Sequence, residues 1–127
     1  MTDNTYQAYT RAGAEGKPLV FTFHGTGGNE NQFVPLIDDI LPGAAVVSPR
    51  GDVSEYGALR FFRRTGEGVY DMDDLERRTE KMSRFIAGHK AANPGRPVYA
   101  IGYSNGANIL AAVLFRRPEL FDRAVLL

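Results

Sequence analysis

One five-residue stretch carries the residue types of a nucleophilic catalytic site. Gly102-Tyr103-Ser104-Asn105-Gly106 matches the pattern G-x-S-x-G, in which a serine occupies a sharp turn between a strand and a helix. The two glycines let the strand and helix backbones approach each other, and the N-terminus of the helix favours negative charge near the serine. The pattern predicts acyl transfer with Ser104 as the nucleophile. The alternative is an ordinary turn in which Ser104 caps the helix.

A glycine-rich stretch earlier in the chain could complete such a site. His24-Gly25-Thr26-Gly27-Gly28 follows a short apolar run, and glycines allow backbone N–H groups to point into a pocket. Acyl transfer needs such donors to bind the oxyanion of the tetrahedral intermediate, and we expect them to be the N–H groups of Thr26 and Asn105. The alternative is a phosphate-binding loop. However, this stretch lacks both the Lys-Ser/Thr pair of a P-loop and the third glycine of a dinucleotide-binding loop.

Alternating strands and helices must position these two stretches. Short apolar runs bounded by glycine or proline predict buried strands at 19–23, 44–48, 97–102 and 124–127. Helical spacing of apolar residues predicts helices over 33–41, 71–92 and 105–117, and weak alternation predicts an edge strand near 6–10. Residues 50–70 lack a clean period and are predicted to be an irregular loop. This order favours an α/β fold with a doubly wound, mainly parallel sheet in three layers, as a single domain over residues 1–127.

Composition narrows the function classes. The 127 residues carry a formal net charge of zero, which gives no long-range attraction to nucleic acid or to an anionic membrane. There is no cysteine, and the two isolated histidines lack the spacing of metal ligands, so we expect no bound metal. No apolar run is long enough to span a bilayer, and the N-terminus lacks the pattern of a secretory signal. We therefore expect a cytoplasmic protein that binds neither nucleic acid nor membrane.

Four stretches together resemble one known family. The chain is similar to α/β-hydrolases of the phospholipase/carboxylesterase group, especially bacterial carboxylesterases of the dienelactone-hydrolase-like type. The resemblance implies an esterase that acts on small carboxylic esters without a cofactor. It also implies that Ser104 is the nucleophile, that Thr26 and Asn105 are the oxyanion-hole donors, and that His24 is structural. The matching stretches are 24–30, 48–51, 60–64 and 102–108.

The chain departs from that family in its catalytic triad. In α/β-hydrolases an acid and then a histidine follow the serine, but after Ser104 this chain offers only Glu119 and Asp122 and no histidine. We expect His89, near the end of a helix, to be a surface cation. The chain is therefore expected to be the N-terminal part of a hydrolase, C-terminally incomplete and impaired because no triad acid or base is found. The alternative is a catalytically silent, flavodoxin-like α/β module or fragment that self-associates or binds a partner.

Two further segments are the arginine-rich stretch at 60–64 and the last strand, at 124–127. Arg60, Arg63 and Arg64 could line a pocket for an acyl group or an anionic substrate. They could equally pair with the acidic cluster at 71–74 on a solvated face. The uncharged strand 124–127 lacks the usual protections of a sheet edge, so it predicts a homodimer that pairs through this strand.

Overall fold

A five-stranded sheet forms the centre of the protein in a computed structural model, which describes residues 5–66 and 69–127. The five strands are β1 (Ala8–Arg11), β2 (Leu19–Phe23), β3 (Ala45–Pro49), β8 (Val98–Gly102) and β9 (Arg123–Leu126). Their order across the sheet is β1-β3-β2-β8-β9, and every neighbouring pair is parallel except β1 with β3. The predicted mainly parallel sheet is confirmed, including the edge strand near the N-terminus.

Helices cover both faces of this sheet. The helices are α1 (Val34–Ile40), α2 (Met72–Ala91) and α3 (Asn105–Arg116), followed by a 3-10 turn at Pro118–Leu120. One core cluster joins Phe21 and Phe23 to side chains of α2 and α3, and a smaller one joins Val20 to α1. Because successive residues of β2 point to opposite faces, burial of the whole strand requires a layer on each side. The prediction of three layers is confirmed.

The segment between β3 and α2 contains structure that the sequence did not predict. The described residues between 50 and 70 include two pairs of short antiparallel strands, so the prediction of an irregular loop is wrong there. Tyr56 and Gly57 both have positive φ, which is the geometry of a tight two-residue hairpin turn. Strands of two or three residues are too short to produce a visible alternation. The hairpins pair β4 (Val53–Glu55) with β5 (Ala58–Arg60), and β6 (Arg64–Gly66) with β7 (Val69–Tyr70).

Strand β9 lies at one edge of the sheet in the described part of the chain. It pairs with β8 in parallel, and its Val125 and Leu126 side chains are about half exposed. Pairing of this edge between two copies stays a prediction. Among the residues that the structure describes, no helix is long and apolar enough to cross a membrane.

Candidate active site

Ser104 occupies a strained turn at the carboxyl end of a central strand. Strand β8 ends at Gly102 and helix α3 begins at Asn105, so two residues make the whole connection. The Ser104 backbone has φ 55° and ψ −116°, a conformation that residues with a side chain rarely adopt. Its side chain is exposed and makes no capping hydrogen bond to the helix. Ser104 therefore occupies the N-cap position of α3 without capping it through its side chain, and the residue is exposed at the end of the sheet where α/β proteins bind ligands.

The two glycines of the motif are required by close backbone contacts. A Cβ atom on Gly106 would lie 2.1 Å from the carbonyl oxygen of Phe23 and 2.5 Å from that of His24. A Cβ on Gly102 would lie 2.7 Å from the carbonyl oxygen of Gly106. Real Cβ atoms do not approach other atoms this closely. Glycine at both positions therefore allows the first turn of α3 to rest directly on the end of β2.

The glycine-rich loop begins where β2 ends and lies against the serine turn. A Cβ on Gly25 would meet the ring of Tyr103, the residue before the serine, at 2.8 Å. The Tyr103 N–H donates to the carbonyl oxygen of Phe23 at 3.1 Å, which continues the pairing of β8 with β2 beyond the strands. The sheet therefore brings together two stretches that are far apart in sequence.

His24 is a structural residue of this loop. Its ring is buried, Nδ1 lies 2.8 Å from the carbonyl oxygen of Gly25, and Nε2 accepts a hydrogen bond from the Gly51 N–H at 2.9 Å. A ring that donates through Nδ1 and accepts through Nε2 is neutral. Burial lowers the pKa of His24, because it disfavours the charged ring. With both nitrogens engaged, His24 fastens the loop to the segment after β3.

The two predicted oxyanion donors both have available N–H groups. Within residues 5–66 and 69–127, neither the Thr26 N–H nor the Asn105 N–H donates a hydrogen bond, and Asn105 is the first residue of α3. The neighbouring N–H groups of Gly27 and Gly28 donate to Leu59 and Gly25. Two unengaged donors therefore lie in the two loops that meet beside Ser104. An oxyanion hole needs backbone donors that are not already engaged, so the assignment of Thr26 and Asn105 as its donors stays a prediction.

The two acids that follow Ser104 in the sequence, Glu119 and Asp122, lie away from it, at the end of the sheet where β8 begins. Asp122 Oδ2 accepts a hydrogen bond from the N–H of Val98, the first residue of β8, at 2.8 Å. Glu119 is exposed, and its pKa is lowered by a hydrogen bond from its own backbone N–H and by its ion pair with Arg117 at 2.9 Å. Ser104 lies beyond the other end of β8, so neither acid is placed to act with it.

His89 is not the surface cation that we expected. It is 3% exposed, and its ring packs against Phe85 at 4.6 Å and Phe21 at 6.4 Å between centroids. It lies in the last turn of α2, which leads to the start of β8 rather than to the end that carries Ser104. His89 is thus part of the hydrophobic core, and neither histidine of the chain is placed to be the base.

Two of the three arginines at 60–64 do not pair with the 71–74 cluster, and the pocket expected for Arg63 stays a prediction. Arg60 is buried and forms an ion pair with Glu55 at 3.1 Å, and Arg64 pairs with the same carboxylate at 3.0 Å. Their acid partner is therefore in the first hairpin, not in the 71–74 cluster. Asp74 instead accepts from the backbone N–H of Arg63 at 2.7 Å, and its pKa is lowered despite burial because this bond and two arginines of α2 stabilise the carboxylate.

Sequence reasoning missed the side-chain role of Asn105. Its Oδ1 accepts a hydrogen bond from the Phe61 N–H at 2.8 Å, and the side chain is almost fully buried. Next on α3, Asn108 donates to the hydroxyl of Tyr70 at 2.7 Å, which attaches the second hairpin to the helix. No sequence signal pointed to either contact. Among the described residues, no group of three or more His, Asp or Glu side chains is placed to hold a metal ion.

A strained, exposed serine between a parallel strand and a helix, with a glycine-rich loop beside it, defines an α/β-hydrolase-type protein. Solved structures agree with this class. The chain superposes on the Agrobacterium tumefaciens protein Atu2452, of unknown function, with TM-score 0.92 and 58% identity over 99% of this chain and 62% of that one. It superposes on a Bacillus cereus carboxylesterase with TM-score 0.86 and 38% identity over 96% of this chain and 59% of that one. The chain belongs to the phospholipase/carboxylesterase-like family of α/β-hydrolases.

A curated relative agrees with this assignment. "Putative hydrolase MhqD" of Bacillus subtilis strain 168 is 44% identical over 111 residues, which cover 85% of this chain and 55% of the relative. The chain thus spans slightly more than half of the curated relative and about 60% of the solved structures. No family model matches the chain. The flavodoxin-like alternative is wrong at the level of fold.

Proposed function

We propose that this chain carries the nucleophile and the oxyanion hole of a serine carboxylesterase that acts on small carboxylic esters. The observation that supports the proposal best is the state of Ser104. Its hydroxyl is exposed in a strained turn, makes no capping bond, and lies between two loops that each offer an unengaged backbone N–H. A strained, uncapped serine has no evident benefit for folding, and such outliers cluster at functional sites.

The chemistry would proceed by acyl transfer. The Ser104 hydroxyl gives its proton to a general base while its oxygen attacks the ester carbonyl carbon, and the carbonyl electron pair moves to oxygen. The base later returns this proton to the leaving alcohol. The N–H groups of Thr26 and Asn105 donate hydrogen bonds to this oxyanion, and the N-terminus of α3 adds a favourable field. Collapse of the intermediate releases the alcohol, which takes up a proton, and leaves an acyl group on Ser104. Water then hydrolyses that ester to the carboxylic acid.

The proposal assigns the general base to no residue of this chain. His24 has both nitrogens engaged, and His89 is buried in the core at the other end of β8. The relatives are longer than the chain, and in α/β-hydrolases the acid and the histidine follow the serine. We propose that residues outside these 127 supply both groups. By itself, the 127-residue chain is expected to react slowly, because a protonated hydroxyl is a poor nucleophile.

The surroundings of the serine favour a small, partly apolar substrate. Tyr103 is about half exposed beside Ser104, and its ring packs edge-on against Phe33 with 6.3 Å between centroids. Tyr70 is also partly exposed and packs edge-on against Phe62 at 5.1 Å. Tyr70 also contacts the first turns of α3 through Asn108. Partly exposed rings near the serine turn suit short acyl or aryl esters better than long acyl chains.

The test is covalent labelling of the 127-residue chain with a fluorophosphonate, located by peptide mass spectrometry. Imidazole is added as an external base, since the exposed Ser104 hydroxyl is open to solvent. We expect slow labelling that imidazole accelerates and that is confined to Ser104. Ser104→Ala should abolish the adduct, whereas Ser54→Ala, which changes another exposed serine, should leave it unchanged. Labelling that survives in Ser104→Ala, or no adduct at Ser104 with imidazole present, would contradict the proposal.

A further inference from the structure

Arg60 is a buried cation whose donors are directed into the protein. Its Nη1 donates to Thr26 Oγ1 at 2.8 Å, and its Nε donates to the carbonyl oxygen of Phe62 at 3.0 Å. The same Nε lies 3.1 Å from a carboxylate oxygen of Glu55. A guanidinium is retained in a protein interior when its charge is paired and its donors are satisfied. Arg60 therefore acts on the glycine-rich loop rather than on solvent or on a substrate anion.

The residue before Arg60 holds the same loop through its backbone. The carbonyl oxygen of Leu59 accepts a hydrogen bond from the Gly27 N–H at 3.1 Å. Thr26 is thus held at its own side chain by Arg60 and at the following peptide by Leu59. The peptide that carries the Thr26 N–H is also held on its other side, because the Gly25 carbonyl oxygen accepts from the Gly28 N–H at 2.9 Å and lies 2.8 Å from His24 Nδ1. The bonds from Arg60 and to Leu59 restrain Thr26 at its exposed side chain and at the following peptide.

The residue after Arg60 holds the second donor. The Phe61 N–H donates to Asn105 Oδ1 at 2.8 Å, and Asn105 is the first residue of α3. The Phe61 ring also packs on the ring of His24, with 4.7 Å between centroids. Three consecutive residues therefore contact both loops that carry an unengaged N–H.

From these contacts we infer that the 59–61 segment positions the two N–H groups relative to each other, and that Arg60, through the Thr26 hydroxyl, is its main positioning residue. The inference rests on the proposed function, because it gives these N–H groups the role of oxyanion donors. It explains why an arginine is buried at the end of a short hairpin that does not belong to the central sheet. Arg60 does not touch the reacting atoms, and it acts through Thr26.

The sharpest test removes the hydroxyl that Arg60 binds and leaves the Thr26 N–H in place. Thr26→Val keeps the shape of the side chain, and Thr26→Ser keeps the hydroxyl. Thr10→Val makes the same chemical change at an exposed position of β1 and is the matched control. We expect fluorophosphonate labelling of Ser104, measured with imidazole present, to slow about tenfold in Thr26→Val, less than the loss of a whole oxyanion donor. Thr10→Val, which lies outside the site, should label within about twofold of the parent. Thr26→Ser restores the hydroxyl and should therefore label several-fold faster than Thr26→Val.

A second measurement on the free protein does not depend on labelling. Backbone ¹⁵N order parameters report the rigidity of each N–H, and a rigid amide gives about 0.85. In Thr26→Val, the order parameters of residues 26 and 27 should fall by at least about 0.1. They should stay at the parent values in Thr26→Ser and Thr10→Val. If Thr26→Val instead destabilised the fold as a whole, order parameters would fall across the central sheet and the melting temperature would drop.

The outcomes separate the inference from the function on which it rests. If Ser104 is labelled in the parent chain but Thr26→Val labels at the same rate, the inference is overturned and the proposed function stands. If order parameters at residues 26 and 27 are unchanged in Thr26→Val, the positioning role of Arg60 is overturned whatever the labelling shows. If the parent chain gives no adduct at Ser104, the proposed function is overturned, and the order parameters alone report whether Arg60 holds the loop.

Discussion

The two loops that meet at Ser104 are held in place by different means. The serine turn is fixed by contact between backbones, since Gly102 and Gly106 leave no space for a Cβ against the neighbouring strand and helix. The glycine-rich loop is fixed by hydrogen bonds to side chains, chiefly those of His24, Arg60 and Gln32, whose Oε1 accepts from the Gly25 N–H at 3.1 Å. The nucleophile is therefore positioned by steric exclusion, and one oxyanion donor by polar contacts that can be removed one at a time.

The largest effect should come from adding a methyl group to the serine turn. In Gly106→Ala, the new Cβ would overlap the carbonyl oxygens of Phe23 and His24 and force α3 away from β2. We expect the free energy of unfolding, measured by urea denaturation, to fall by at least about 3 kcal/mol. Gly16→Ala is the control, because Gly16 has φ +78° but no other atom lies within 4 Å of the place where its Cβ would be.

The control separates overlap from backbone strain. Gly16→Ala should cost only about 1 kcal/mol, the usual penalty for a residue with a side chain in the left-handed region. Equal losses in the two variants would show that the turn is not fixed by steric exclusion, and the contrast between the two loops would then fail.

The same contrast explains which parts of the site could be predicted. The serine turn was predictable because its signal is local: a strand, two glycines and a helix lie within a few residues of Ser104. The bond from Arg60 to Thr26 joins residues 34 positions apart, and the bond from Phe61 to Asn105 joins residues 44 apart. No local pattern encodes such pairs. His89 was different, since it follows Phe85 by four residues and so shares its buried helix face, a signal that the sequence contained.

An effect of intermediate size should come from His24 in the glycine-rich loop, which should make the stability of the chain depend on pH. Burial lowers the pKa of His24 below its usual 6.5, so between the two values the unfolded chain binds more protons than the folded one. The free energy of unfolding is therefore highest above pH 6.5 and falls as the pH is lowered. The loss is at most about 1.4 kcal/mol per pH unit and ends once the pH reaches the pKa of His24 in the folded chain. Urea denaturation at about pH 7 and about pH 5.5, on either side of the ordinary histidine pKa, measures the change.

A substitution checks that His24 is the source of that slope. His24→Gln can still offer an amide to the loop but does not titrate, so its stability should vary less over the same pH interval, even if it is lower throughout. Either of two results would contradict a neutral, buried His24. One is a parent chain that is equally stable at both pH values, and the other is a His24→Gln variant whose free energy of unfolding changes with pH as much as that of the parent.

The smallest effect concerns the strain at Ser104 itself. Ser104→Gly removes the side chain that makes φ 55° unfavourable, whereas Ser104→Ala removes the hydroxyl and keeps the strain. After the entropy cost of glycine, Ser104→Gly should be more stable than Ser104→Ala by about 1 kcal/mol in thermal unfolding. If Ser104→Ala is the more stable of the two, the turn is not strained in solution.

A crystal structure of the fluorophosphonate adduct would show whether the serine turn and the glycine-rich loop form one site. If they do, Ser104 is covalently modified and the N–H groups of Thr26 and Asn105 face the reaction centre. We expect a phosphonyl group on Ser104 Oγ whose oxygen lies about 2.7–3.1 Å from both backbone nitrogens. A phosphonyl oxygen that points to solvent, or that contacts neither nitrogen, would contradict this expectation.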